Sequence, residues 1–167
     1  MSYQLIKQVT QASDANTLIA NFTNVDFSDV SMFVISFQGD DGLPTQGSTL
    51  RIGTSSGIIT TSDYDLQSIY ILSGSASYYG YTNQSKGWML NNSWSDDSSF
   101  PLVYLSMNPD TDKCQCSIQN TSLTGYVGIA GWLDSTLTSL GEIEIKGESG
   151  HDIIAGSRLQ VYKVVLT

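Results

Sequence analysis

Basic residues are scarce in this chain: seven Lys+Arg stand against sixteen Asp+Glu in 167 residues, a net charge of −9. That sign repels phosphate backbones and anionic headgroups, so no nucleic-acid partner and no membrane insertion are expected. Charged residues make up only 14% of the chain, too few to cover the wet faces of long surface helices. Histidine occurs once, at His151. A hydrolase triad would have to use it, yet no Gly-x-Ser-x-Gly elbow supplies a nucleophile. Its setting, Ser149-Gly150-His151-Asp152, reads as a solvated turn before a strand. Cysteine occurs twice, at Cys114 and Cys116. Alternate residues of a strand lie about 6.5–7 Å apart at Cα with parallel Cβ vectors, which opposes a disulfide. Zinc would need further ligands from carboxylates, so two buried thiols in a reduced core are expected. No stretch of eighteen apolar residues occurs, nor a basic segment leading into an apolar one after Met1. Synthesis in a cytoplasm without an export signal is therefore expected, and sequon-like triplets such as Asn21-Phe22-Thr23 carry little weight.

What the chain does contain is period-two alternation punctuated by turn residues. Ser31–Gln38 sets Phe33, Ile35 and Phe37 on one face, and Thr49–Ile52 sets Leu50 and Ile52 inward. Gly57–Thr60, Gln67–Leu72, Gly87–Leu90, Leu102–Met107, Lys113–Ile118 and Glu142–Lys146 continue the series. The last forty-odd residues read as three short strands broken at Gly128, Gly131, Gly147 and Gly150. Ser13–Ala20 lacks a sustained helical period and reads as a loop entering a strand at about Thr17. The Ser-rich stretch from Ser73 to Ser85 and the segment from Asn91 to Ser99 read as loops or strand edges. Regularly spaced strands with no repeat and no linker predict one all-β domain over residues 1–167: an antiparallel β-sandwich of jelly-roll type with little helix. Its core is expected to include Phe33, Ile35, Phe37, Leu50, Ile52, Val103, Leu105, Ile143, Ile145, Leu159 and Val161.

Two acidic patterns could carry chemistry. Glu142 and Glu144 lie on one strand face, as the acid and nucleophile of a glycosidase would; opposite Ile143 and Ile145, they read instead as a solvated face. Asp40-Asp41, Asp63-Tyr64-Asp65, Asp96-Asp97 and Asp110-Thr111-Asp112 offer hard oxygen ligands of the kind calcium takes. None has EF-hand spacing, and Asp is a standard turn residue, so no metal and no cofactor are expected.

Three motifs go beyond periodicity. The chain opens on Tyr3-Gln4-Leu5-Ile6, carries Ala130-Gly131-Trp132 followed by Ser139-Leu140, and closes on Ala155-Gly156-Ser157-Arg158-Leu159-Gln160-Val161-Tyr162. In these motifs it resembles a family of small all-β structural proteins encoded by tailed bacteriophages. Members start on Tyr-x-Leu-Ile and end on Ala-Gly-Ser-Arg/Thr followed by a hydrophobic-x-hydrophobic-Tyr strand. The resemblance covers both ends and is looser between them. It implies a non-enzymatic virion protein, displayed as a head decoration, head fibre or tail-fibre module, in contact with other capsid or tail proteins. It also implies a homo-oligomer, a trimer, with the virion as its location.

The aromatic residues are the candidate contact surface. Tyr78-Tyr79-Gly80-Tyr81 cannot all face one side of a strand, so at least one tyrosine is expected to be exposed. With Trp88, Trp94 and Phe100, these side chains serve either an interface between copies, core packing, or stacking against a host-surface glycan. The glycan reading makes the chain a carbohydrate-binding module, the alternative to a structural protein.

Overall fold

Short uncharged runs rich in Ile, Val, Tyr and Thr favour extended backbone, because β-branched and aromatic side chains pack well on a pleated surface. The structure, a computed structural model, describes residues 2–38, 48–72, 75–85, 87–91, 101–108, 110–111, 113–122, 125–147 and 152–165. Within them the chain forms strands β1 (Ser2–Thr10), β2 (Thr17–Asp26), β3 (Met32–Gln38), β4 (Ser48–Thr54), β5 (Gly57–Ile58), β6 (Tyr64–Leu72) and β7 (Ser75–Gln84). Then follow β8 (Trp88–Asn91), β9 (Leu102–Asn108), β10 (Lys113–Ser122), β11 (Gly125–Thr136), β12 (Ser139–Gly147) and β13 (Arg158–Val165). The described residues hold no α-helix, only a 3₁₀ turn at Phe27–Asp29. β2 begins at Thr17, where the sequence puts it.

All pairings are antiparallel, and they build two sheets packed as a sandwich. The larger has the order β1-β13-β3-β9-β10-β11-β6-β7; the smaller has β2-β12-β4-β5, with β8 also on β4. Registry explains the core. Val161, Ile35, Val103, Ile118 and Ile129 stand side by side across β13, β3, β9, β10 and β11. From the smaller sheet come the rows Leu18-Ile145-Leu50 and Ala20-Ile143-Ile52. These side chains belong to one buried cluster, and each of the eleven residues assigned to the core from sequence is at most 2% exposed. Burying a side chain of this kind contributes roughly 1.5–3 kcal/mol, so the two facing sheets account for much of the driving force for folding.

Two expectations are corrected, and a third, loops or strand edges for the Ser-rich stretch, is narrowed to an edge strand. Gly128 and Gly131 do not interrupt a strand, since β11 runs unbroken through both. A Cβ at Gly131 would sit 2.7 Å from Trp88 Cδ1 and Nε1; the glycine is a notch that admits an indole ring against the sheet. Most of the Ser-rich stretch is the ten-residue strand β7, the last strand of the larger sheet. The face carrying Glu142 and Glu144 is not simply solvated: Glu144 is only 7% exposed. Arg51 lies directly across from it on β4, and Arg51 Nε donates to Glu144 Oε1 at 2.6 Å. A carboxylate can be buried there because its charge is matched by a directly opposed guanidinium.

Candidate functional site

Beyond β9 the larger sheet continues through β10, β11, β6 and β7, a wing whose inner side chains join the common core and which an aromatic pair ties to the smaller sheet. Trp88 and Tyr64 pack edge to face with centroids 5.0 Å apart, both fully buried. Trp88 Nε1 donates to the Asp65 carbonyl at 3.2 Å. The Tyr64 hydroxyl accepts the Ile52 N–H at 3.1 Å and lies 3.2 and 3.0 Å from the Ile52 and Ile59 carbonyl oxygens, to one of which it donates. Burial raises the Tyr64 phenol above its ordinary range, so it stays a neutral hydroxyl tying β6 to β4. Trp88 consequently leaves the contact set drawn from sequence: its ring is enclosed and its N–H satisfied. Trp94 and Phe100 lie outside the described residues.

The three tyrosines behave differently from Trp88. Tyr78, Tyr79 and Tyr81 are 74%, 47% and 41% exposed. Among the described residues β7 pairs with β6 alone, and its residues 75–83 are all exposed. Alternation sends Tyr79 and Tyr81 toward the core side, opposite Ser68 and Leu66, and Tyr78 to the outer side, opposite Ile69.

On that outer side the wing is concave. The row Tyr104, Ser117, Ala130, Gln67 and Gly80 stands in register from β9 to β7. Its small members leave a depression of about 560 Å³ toward Tyr78 and Ile69. A second depression of about 310 Å³ lies toward Tyr104 and Trp132, and the two share Ser117 and Ala130. The sequence reading missed Tyr104 and Trp132, although a signal was present. Each is an aromatic residue at the outward phase of a strand, between the inward neighbours Val103 and Leu105 or Gly131 and Leu133.

Other sequence candidates are engaged in structural contacts. Cys114 and Cys116 are buried free thiols; burial pushes Cys114 up to about 12 and raises Cys116 well above its ordinary value. Glu144 is held by Arg51, while burial and the Glu144 charge raise the Glu142 carboxyl. The Asp63 carboxylate accepts from Ser135 and Thr61 hydroxyls, which lower its pKa below 3.8. Asp65 Oδ1 accepts the Asn83 N–H at 2.6 Å. Asp110 N donates to Asn108 Oδ1 at 2.9 Å, as in a tight turn. Among the described residues no cluster of three or more His, Cys, Asp or Glu is arranged to hold a metal ion. His151, Asp40, Asp41, Asp96, Asp97 and Asp112 lie outside the described residues. Neither protein-family models nor curated protein sequences match this chain.

Proposed function

We propose that the chain is a non-enzymatic structural protein of a tailed-phage virion, displayed on the particle as a head decoration, head fibre or tail-fibre module and assembled as a homotrimer. The observation that carries this reading is the strand order. The orders β1-β13-β3-β9 in one sheet and β2-β12-β4-β8 in the other support an eight-stranded jelly-roll reading of the sandwich, an architecture frequent in viral coat and lectin domains. The wing is then an addition to its β9 edge. The two terminal motifs behind the phage resemblance are also neighbours in the fold, Tyr3 pairing with Val164 and Leu5 with Tyr162.

Assembly is supported by the contrast between the two ends of the larger sheet. β1 carries Lys7 and a bulge between Leu5 and Lys7, features that discourage edge pairing. β7 has neither charge nor proline over ten residues and, among the described residues, no strand on its outer side, so it offers a template for another strand. Mass spectrometry of purified particles of the phage encoding this chain tests the location. The chain is expected among the virion proteins in many copies, with antibody labelling on the particle exterior; its absence from purified particles would overturn the reading.

A further inference from the structure

The two depressions on the outer face of the wing form one trough. Tyr104 and Trp132 stand at one end and Tyr78 at the other, across a floor centred on Ser117 and Ala130. From β9 to β7 it crosses four strand spacings, roughly 19 Å at about 4.8 Å each. Among the described residues no Asp, Glu, Lys or Arg lines either depression, on a chain whose net charge is −9. Such a lining offers no countercharge to an ionic ligand, which would lose hydration there without compensation. β10, β11 and β6 are paired on both sides, so a peptide cannot add to them as a strand. What the trough presents is aromatic surface with the exposed aliphatic side chain of Ile69, hydroxyls and side-chain amides.

That set matches one ligand chemistry. A sugar ring has an apolar face that packs on an aromatic side chain and a rim of hydroxyls that pair with amides and hydroxyls. We propose that the trough binds a neutral oligosaccharide, with Tyr104, Trp132 and Tyr78 packing against sugar rings, Gln67 and Ser117 bonding their hydroxyls, and Ala130 leaving room for a ring on the floor. This goes beyond the virion reading and does not depend on it.

The test uses the full chain on an array of neutral, sialylated and sulfated oligosaccharides, followed by calorimetric titration of the best-bound glycan. Neutral glycans are expected to bind at least about tenfold more tightly than their anionic derivatives, and Trp132→Ala to weaken binding by about tenfold. Ala130→Leu fills the exposed floor and should abolish binding while leaving circular dichroism and oligomer mass unchanged. It keeps the test valid if Trp132→Ala fails to fold. Tyr3→Ala, on β1 away from the trough, should leave affinity as it is. Absence of any bound neutral glycan, preference for anionic ones, or full affinity in Ala130→Leu would overturn the proposal. So would a change of oligomer mass in Ala130→Leu, which would show that a second copy covers the trough. Virion incorporation is read separately by mass spectrometry, so either idea can fail alone.

Discussion

Between β1 and β9 the inner face of the larger sheet is a field of apolar side chains in one cluster with Leu50, Ile52, Ile143 and Ile145, whereas toward the β6 and β7 end of the wing that field thins out. The row of Val161, Ile35, Val103, Ile118 and Ile129 continues into Ser68, buried with no hydrogen-bond partner for its hydroxyl, and then into half-exposed Tyr79. The neighbouring row passes from Leu105 and Cys116 to Gly131, where the Trp88 ring replaces what side chains of the sheet would supply. Burial is spread over many residues in the closed half. In the wing it reaches only as far as β6, through Ile118, Ile129, Leu133, Leu66 and the Trp88 and Tyr64 pair, and β7 leaves polar and aromatic groups facing solvent. A fold can thus keep its stability in one half while offering contact groups in the other.

The largest effect should come from a charge in the closed half. Ile145 is fully buried between Leu18 and Leu50, so Ile145→Asp is expected to cost more than about 4 kcal/mol and unfold the whole protein. Wild-type stability by urea denaturation would mean that the two faces of β12 are inverted. Next is the wing's aromatic plug. Trp88→Ala should cost about 3 kcal/mol, and Gly131→Val about 2 kcal/mol by forcing the indole out of its notch. Because both changes act on one contact, the double variant should be more stable than the sum of the single losses implies. Strict additivity in the cycle would contradict the notch.

A smaller effect is read through pH, at the two thiols that β10 places in the core. Burial raises Cys114 from 9.0 to about 12, and burial together with the Cys114 charge raises Cys116 well above 9.0. A raised thiol pKa favours the fold while both thiols are protonated. Its contribution is full below the unfolded value near 9.0 and is lost as pH rises through the folded values. Urea midpoints should therefore fall above about pH 9, less steeply in the Cys114→Ala/Cys116→Ala variant, and a thiol reagent at about pH 8 should react only on unfolding. Rapid labelling of the native protein would place these residues outside the core.

Period-two alternation made the closed half legible from sequence, since each of its strands declares an inward face on its own. What escaped depended on partners distant in sequence. Glu144 is buried because Arg51 stands opposite it, a pairing no local pattern contains. Gly131 looks like a strand breaker until the Trp88 ring is seen above it. β7 has too few inward apolar residues to announce a strand and owes its conformation to pairing with β6. The trough is a matter of registry, because Tyr104, Ser117, Ala130 and Gln67 come from separate strands. By contrast, spacing alone required at least one outward tyrosine on β7, and Tyr78 is that residue; Tyr79 and Tyr81 face the core side and are exposed as well.

The smallest expected change in stability accompanies the largest change in assembly. Ala76 and Thr82 are exposed residues of β7, so the Ala76→Lys/Thr82→Lys variant should alter folding stability by under about 0.5 kcal/mol while guarding the open edge. Light scattering of the purified protein at micromolar concentration, wild type beside this variant, tests most directly whether the wing is the assembling half. Three chain masses for the wild type and one for the variant are expected. A wild-type monomer, or a trimer unaffected by the two lysines, would contradict the account.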